Sequence, residues 1–306
     1  MSVDAYRTPD ERFEGLPDFP WEPRYREWEG MRLAHLDEGE GEGEPIVLLH
    51  GEPTWSFLWR KVMPPLLEAG HRCIAPDLPG FGRSDKPTDL GWYTYERHTA
   101  AVASLLGELD VSDATFVVHD WGGPIGFRVA VEEPERCSRF VVMDTGIFTG
   151  HQKMADAWIA FRDFVERTED LPISMLIRRA CANDPGDAVA AAYDAPFPEA
   201  SAKAGARAFP LMLPTKPDAP GADAGQRVAK ALEADERPAL VLWADSDPVL
   251  PPEVGAQLAE RLRWPEPEEI ANASHFLQED QGGAIGGRIA EWLANGSRLT
   301  RDRRAL

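Results

Sequence analysis

Short apolar runs alternate along the chain with segments in which apolar residues recur at helical spacing. The apolar runs are Ile46 to Leu49, Cys73 to Ala75, Thr115 to Val118, Phe140 to Met143, Ala239 to Trp243 and Glu268 to Ile270. Helical spacing relates Leu105 to Leu109 and Ile125 to Val129, and it continues from Ile285 to Leu293, after which Gly296 is expected to end the last helix. Strands that alternate with helices predict a mainly parallel, doubly wound sheet.

Two segments depart from this alternation. Residues Arg24 to Asp37 predict two antiparallel strands joined by a turn at Glu29-Gly30. From Ile147 to about Ala222 there is no convincing strand, only helical patterns and a proline-rich passage. We interpret this stretch as a helical insertion over the carboxyl edge of the sheet, where ligands bind in open α/β sheets. The predicted division is a core of residues 1–146 and 223–306 and a cap of residues 147–222.

Composition narrows the class of protein. The 306 residues are 43% hydrophobic and 27% charged, which is typical of a globular chain able to enclose a cavity. An excess of 52 acidic over 32 basic residues gives a net charge of -20, which argues against nucleic acid or anionic membranes as partners.

Neither a secretory signal nor a membrane-spanning run is visible, so a cytoplasmic protein is expected. Cys73, Cys137 and Cys181 are spaced as reduced thiols rather than as disulfides or zinc ligands.

The segment TFVVHDWGGP, from Thr115 to Pro124, carries the first candidate chemistry. An apolar strand leads into Asp120, and Gly122, Gly123 and Pro124 then permit a tight turn into a helix. This is the pattern of a nucleophile elbow, with an aspartate where serine is usual. A carboxylate is already ionised at neutral pH and can attack carbon without first losing a proton. The alternative is that Asp120 only caps the following helix.

Three further positions fit the same arrangement. Asp247 follows a predicted strand, and His275 follows the next one, in the nucleophile, acid, histidine order of α/β-hydrolases. The loop that begins at His50-Gly51 would place the backbone N–H of Glu52 beside that of Trp121 as an oxyanion hole. Taken singly, Asp247 could be a turn former, His275 a structural residue and the loop an ordinary turn.

Six strings of the sequence together resemble the haloalkane dehalogenases, in particular the subgroup whose second halide-binding tryptophan lies in the cap. The strings are HGEPTWSFLWR, APDLPGFGRSDKP, HDWGG, YDAPFPE, AGARAFP and ASHFLQED. The resemblance extends from Tyr6 to about Trp292. It implies an α/β-hydrolase fold with a mostly parallel sheet and an inserted helical cap domain.

The resemblance also implies a role for each matching residue. Asp120 would be the nucleophile, His275 the base and Asp247 its acid. Trp121 and Trp158 would bind the departing halide, which suits indoles because each offers one N–H donor and no competing acceptor. Trp158 could instead be a core aromatic of an amphipathic helix. The residues that could line an apolar cavity under the cap are Phe161, Phe164, Phe209, Pro210, Leu213, Leu250 and Phe276.

The implied reaction is the hydrolysis of a haloalkane in two halves. Asp120 would displace the halide and form an alkyl ester, and His275 would then activate water to cleave that ester while Glu52 and Trp121 hold the oxyanion. Halogenated hydrocarbon and water would enter, and a primary alcohol, halide and a proton would leave. No metal or organic cofactor is required, and we expect a monomer.

The identity of the acid remains open, since Asp144 also follows a predicted strand. Some dehalogenases carry the acid at that point and hold the halide with an asparagine in the first loop, where this chain has Glu52. We therefore favour Asp247 and keep Asp144 as the rival acid or as a second carboxylate that tunes His275. Asp245 is interpreted as a solvated turn residue.

Other functions are weighed against this one. An epoxide hydrolase would share the aspartate nucleophile but normally needs two cap tyrosines as proton donors, and the insertion contains only Tyr193. A fluoroacetate-type dehalogenase would require arginines near Asp120, which Trp121, Gly122 and Gly123 follow instead. The aspartate at the elbow excludes a serine esterase unless Ser84 or Ser274 is the nucleophile. A non-catalytic module that binds a small apolar ligand would have no need of a complete triad.

Overall fold

A computed structural model describes residues 3–41 and 43–304, which contain ten β-strands and ten α-helices. The strands are β1 (Ala5–Tyr6), β2 (Arg24–Trp28), β3 (Met31–Glu38), β4 (Ile46–Leu49), β5 (Cys73–Pro76), β6 (Lys86–Pro87), β7 (Ala114–His119), β8 (Cys137–Met143), β9 (Ala239–Ala244) and β10 (Glu268–Ile270). The helices are α1 (Met63–Glu68), α2 (Tyr95–Glu108), α3 (Gly122–Glu132), α4 (Asp156–Arg167), α5 (Ile173–Arg179), α6 (Asp187–Asp194), α7 (Ala204–Met212), α8 (Ala222–Leu232), α9 (Pro252–Leu262) and α10 (Leu277–Arg304).

Eight of the described strands form one twisted sheet in the order β10-β9-β8-β7-β4-β5-β3-β2. From β10 to β5 neighbouring strands are parallel, and β3 and β2 extend the sheet with antiparallel pairs. The chain passes from β4 to β5 on one side and later resumes with β7 on the other side of β4. The order therefore reverses between β4 and β7, and a crevice opens at the carboxyl ends of these two strands.

The six apolar runs of the sequence all form strands of this sheet, which confirms the predicted α/β class. Every residue of β4, β5, β7 and β9 is buried, as expected where helices cover both faces of a parallel sheet. Strand β8 begins at Cys137, before the apolar run itself, because the half-buried Ser138 and Arg139 extend it toward the sheet margin. The two-residue strands β1 and β6 form a separate pair that the pattern did not predict.

The predicted antiparallel hairpin is also confirmed. Strands β2 and β3 pair from Arg24 with His35 to Trp28 with Met31. The two turn residues, Glu29 and Gly30, have φ values of 51° and 80°, the left-handed conformation of the tight turn whose twist matches that of the strands.

The chain between β8 and β9 holds five helices, α4 to α8, and no strand within the described residues. The first turn of α10 attaches this insertion to the core. The Asp280 carboxylate accepts the backbone N–H groups of Ala182 at 2.8 Å and Asn183 at 2.9 Å, together with that of Ser274 at 3.1 Å. One carboxylate therefore links the insertion to the loop that carries the candidate base. The exact boundaries of the cap remain a prediction.

A buried charge cluster forms the second attachment. Arg60, with a fully buried side chain, pairs with Glu279, and its Nη2 lies 2.7 Å from Oε2 of Glu279. The Tyr193 hydroxyl on α6 donates to Glu279 Oε1 at 2.6 Å, and Lys61 donates to the Glu279 carbonyl at 2.7 Å. Burial by itself would raise the pKa of Glu279, but its hydrogen bonds and charge contacts with Arg60 outweigh burial and lower that pKa.

The expected end of the last helix at Gly296 is wrong, because α10 continues to Arg304. A Cβ at Gly296 would lie 2.8 Å from Nη1 of Arg139, so this glycine permits a close approach between helix and sheet rather than terminating the helix. The 28-residue helix bends at Gln281, whose φ is -134°. Neither α10 nor any other helix in the described parts of the chain has a stretch apolar enough to span a bilayer.

We predict that Arg60→Met lowers the free energy of unfolding by about 3 kcal/mol, since it removes the buried guanidinium and leaves the Glu279 carboxylate with only the partly exposed Lys61 ammonium at 3.1 Å and the Tyr193 hydroxyl. Urea unfolding followed by circular dichroism measures the change. Arg261→Met is the matched control because Arg261 pairs with Glu233 at the surface, where both side chains are more than 40% exposed, and such pairs contribute about 1 kcal/mol or less. Equal losses in the two variants would contradict the stabilising role of the buried cluster.

Candidate active site

Asp120 occupies a sharp turn between β7 and α3. Its φ of 48° lies in the left-handed region, which is strained for a residue with a side chain. The turn is held by its own backbone, since the Asp120 N–H donates to the Asp144 carbonyl at 3.1 Å and the Gly123 N–H donates to the Asp120 carbonyl at 3.0 Å. The Thr145 hydroxyl donates to the same carbonyl at 2.5 Å. These bonds direct the carboxylate into the crevice at the switch point of the sheet.

Two glycines make room for this turn. A Cβ at Gly51 would lie 2.0 Å from Oδ1 of Asp120, and a Cβ at Gly122 would lie 2.0 Å from the Leu49 carbonyl oxygen. Any other residue at either position would push the elbow away from strand β4. The glycines therefore allow the loop after β4 to approach the Asp120 carboxylate closely.

The two oxygens of Asp120 have different surroundings. The backbone N–H of Glu52 donates to Oδ1 at 2.8 Å, and the backbone N–H of Trp121 also bonds the carboxylate. Oδ2 lies 3.8 Å from Nε2 of His275. Burial raises the pKa of Asp120, while the charge of His275 and the two N–H donors offset part of that increase. The site thus holds the carboxylate on two backbone donors and presents Oδ2 to the imidazole.

His275 is oriented by Asp247. Its Nδ1 lies 2.7 Å from Oδ2 of Asp247, whose Oδ1 accepts the backbone N–H groups of Val249 at 2.7 Å and Leu250 at 3.0 Å. Burial favours neutral forms of both groups, but the charge and hydrogen bond that they share outweigh it. The pKa of His275 is raised and the pKa of Asp247 is lowered.

The rival carboxyl, Asp144, is fully buried beside this pair. The backbone N–H of Ala244 lies 3.3 Å from each of its oxygens, and its side chain is hydrogen-bonded to Asp247. Burial and then the charge of Asp247 raise the pKa of Asp144 well above its ordinary value. Asp144 is therefore the protonated member of the carboxyl pair, and the imidazole contacts Asp247 directly.

Asp245 lies apart from these groups. It is exposed, and its carboxylate accepts the backbone N–H groups of Asn272 at 2.8 Å and Ala273 at 3.2 Å. The structure thus shows it as a turn residue that joins the loops after β9 and β10.

A cavity of about 470 Å³ opens above the elbow. Asp120, His275, Trp121 and Trp158 all line it, and both indoles are buried, with 4% and 7% of their surfaces exposed. Neither ring N–H is bound to an acceptor from the described residues. Two indole N–H donors that no described residue engages therefore accompany the carboxylate inside a mostly apolar cavity, one from the core and one from α4.

Six of the seven apolar residues expected at a cavity do line it, namely Phe161, Phe164, Pro210, Leu213, Leu250 and Phe276. The seventh, Phe209, is a correction, since it is fully buried and packs behind Trp121 with ring centroids 5.2 Å apart. Helical spacing could not separate the cavity face of α7 from its core face. Met175, Leu176 and Arg179 on α5 also line the cavity, and the sequence did not predict them because this short helix carries no motif.

The side chain of Glu52 was another omission. The loop motif indicated only its backbone N–H, but its carboxyl also lines the cavity, and its buried Oε1 has no hydrogen-bond partner among the described residues. Burial, and then the charge of Asp120, raise the pKa of Glu52 well above its ordinary value. Glu52 therefore places a second carboxyl in the cavity, with a pKa well above that of an ordinary glutamate.

Sequence and structure comparisons match this chain to the same family of proteins. The alpha/beta hydrolase fold family matches residues 44–281. A haloalkane dehalogenase from Mycolicibacterium paratuberculosis is 42% identical over 95% of this chain and 98% of its own length. One from Psychrobacter cryohalolentis is 38% identical over 95% of this chain and 99% of its own. Among solved structures, the tetrameric haloalkane dehalogenase from Paraglaciecola agarilytica matches 94% of this chain and 97% of its own with a TM-score of 0.87 and 37% identity.

We predict that Asp247→Asn lowers the pKa of His275 below its ordinary value, because burial then acts on the imidazole without the main opposing charge. Titration of the ring protons by NMR measures this change. Asp245→Asn, which alters an exposed carboxylate two residues away, is the control and should leave the titration unchanged. An unaltered His275 pKa in Asp247→Asn would show that another carboxylate supplies the charge.

Proposed function

This chain belongs to the haloalkane dehalogenases, enzymes of the α/β-hydrolase fold that hydrolyse carbon–halogen bonds, and we propose that it does so through an alkyl ester on Asp120. The observation that carries the proposal is the position of Asp120, whose carboxylate is held at the elbow by two backbone donors with Oδ2 facing His275. The roles of the site residues follow from that geometry.

In the first half of the reaction, Oδ2 of Asp120 attacks the carbon that bears the halogen. The new carbon–oxygen bond forms as the carbon–halogen bond breaks, and the bonding electron pair leaves with the halide. Negative charge moves from the carboxylate to the halide, so stabilisation is required where the halide departs. The free indole N–H groups of Trp121 and Trp158 supply donors there, and the apolar walls exclude water that would weaken them.

In the second half, Nε2 of neutral His275 takes a proton from water, whose oxygen attacks Cγ of the ester. Charge develops on Oδ1, which already accepts the Glu52 N–H at 2.8 Å, and the Trp121 N–H, which also bonds the carboxylate, supplies the second donor. The bond from Cγ to Oδ2 then breaks, and the protonated imidazole returns a proton to the departing alcohol. Halide, alcohol and one proton are released overall. Because the pKa of His275 is raised, ester hydrolysis should slow as the pH falls through that pKa.

Two alternatives lose support from the structure. The hydroxyl of Tyr193 is fully buried, bonded to Glu279 and absent from the cavity lining, so it is not placed to protonate an epoxide oxygen. Tyr93 and Tyr95 donate to backbone carbonyls outside the cavity. A non-catalytic binding module has no need of the aligned contacts from Asp247 through His275 to Asp120.

The proposal names the substrate and product but does not assign an oligomeric state. The tetramer of the Paraglaciecola agarilytica relative does not fit the expected monomer. Haloalkane as substrate and halide as product follow from the family.

We predict that the wild-type enzyme releases bromide from 1-bromohexane and that Asp120→Asn lowers kcat by at least about 10³-fold, since an amide is a poor nucleophile. Ion chromatography of bromide measures turnover. Asp223→Asn, at an exposed position on α8, is the matched control and should retain full activity. Absence of halide release by the wild type from a panel of chloro-, bromo- and iodoalkanes would contradict the proposal.

We also predict that Asp247→Asn and Asp144→Asn impair the reaction differently, because only Asp247 contacts the imidazole of His275. Asp247→Asn should release about one bromide per enzyme and then stall, with kcat reduced by about 10⁴-fold, as for loss of the triad acid elsewhere. Asp144→Asn keeps an N–H donor toward Asp247 and should lose about tenfold or less. Pre-steady-state halide release separates the two halves. A stalled Asp144→Asn enzyme beside an active Asp247→Asn enzyme would assign the acid role to Asp144.

A further inference from the structure

The cavity changes character from its floor to its mouth. The floor is formed by the buried His275 and the two buried indoles, together with the half-buried Asp120. Apolar side chains such as Phe161 and Leu176 form the walls. The lining residues that are also solvent-exposed define the mouth, and these are Ala157, Ala160, Phe164, Arg179 and Pro248. Arg179 is the one charged residue in this set.

The backbone of Arg179 is fixed relative to the catalytic loop. It is the last residue of α5, and the carbonyl of the next residue, Ala180, accepts the backbone N–H of Phe276 at 3.0 Å. Phe276 directly follows His275 in the chain. The end of α5 that carries Arg179 is therefore attached next to the candidate base rather than to a remote part of the cap, and Arg179 lines the cavity from there.

The charge of Arg179 is uncompensated in the described chain, which contains no ion pair for it. Its neighbour Arg178 does have partners, since it binds both Asp184 and Asp187 at the surface. This contrast occurs in a protein of net charge -20, where acidic side chains are plentiful. A free cation beside the mouth makes that rim locally attractive to an anion, although the surrounding protein repels one.

We propose that Arg179 binds the carboxylate of ω-haloalkanoates, so that the enzyme accepts haloalkanes whose far end is anionic. This inference rests on the proposed function. The halogenated carbon would lie at Asp120 and the indoles, the methylene chain along the apolar walls, and the carboxylate at the guanidinium, which can bind it in a bidentate manner. The departing halide is the other anion that passes this rim, and the tests below distinguish the two.

The first test compares 6-bromohexanoate with 1-bromohexane through the ratio of their kcat/KM values. Arg179→Gln should lower this ratio by about fivefold, the upper range for an ion pair open to solvent. Arg179→Glu should lower it further, and Arg179→Lys should restore much of it. Arg178→Gln is the matched control, since its side chain is outside the cavity lining, and should leave the ratio unchanged. Added sodium sulfate should reduce the wild-type ratio by screening.

The second test does not depend on turnover, so it separates failure of this inference from failure of the dehalogenase proposal. Hexanoate and bromide are titrated against tryptophan fluorescence, which reports on the indoles of the cavity. Hexanoate should bind about fivefold more weakly to Arg179→Gln than to the wild type, with no change in Arg178→Gln.

Several results would overturn the inference. They are an unchanged substrate ratio in Arg179→Gln, an unchanged hexanoate affinity in that variant, or a wild-type enzyme that turns over 1-bromohexane but not 6-bromohexanoate. A loss confined to bromide affinity would assign the guanidinium to halide release and also overturn it.

Discussion

The structure depends on one constraint, that a charged carboxylate must be held in a strained turn at the carboxyl end of β7 and still point into a mostly apolar cavity. The left-handed φ of Asp120 is tolerated because Gly51 and Gly122 clear the space around it and the backbone of Asp144 and Gly123 ties it down. The reversal of strand order between β4 and β7 places the Glu52 loop directly opposite. Fold, oxyanion hole and nucleophile are therefore consequences of the same local packing.

Electrostatics then determines what each acidic group does. Four carboxyl groups, those of Glu52, Asp120, Asp144 and Asp247, lie in or beside the site, and burial would forbid four negative charges there. The hydrogen-bond donors and charges around each carboxyl group determine which of the four remain charged. Asp120 and Asp247 each have two backbone N–H donors and the charge of His275, whereas Glu52 has none of these and Asp144 has one weakly placed N–H. The first two remain the charged members, and the pKa values of the other two are raised well above the ordinary range.

The sequence was sufficient for much of this account because the relevant signals are local. The six strand runs, the Glu29-Gly30 turn and the glycines after Asp120 each express a backbone requirement that short segments satisfy. The exceptions arise where tertiary contacts decide. Gly296 resembles a helix end in the sequence, but it makes room for the Arg139 side chain inside a longer helix. Phe209 shares the periodicity of the cavity residues but packs in the core against Trp121. The Tyr193 hydroxyl bonds to Glu279 and so lies away from the cavity. Arg179 carries no motif and is significant only through its position at the mouth.

The account rests on a covalent bond to Asp120, and mass spectrometry of the His275→Gln enzyme after exposure to 1-bromohexane tests it most directly. This variant keeps the nucleophile and loses the base, so the ester should form and persist. We expect a protein heavier by one hexyl group, with the added mass on the peptide that contains Asp120 and absent when Asp120 is also changed to Asn. An unmodified protein that has nevertheless released bromide, or an adduct on another residue, would contradict the account.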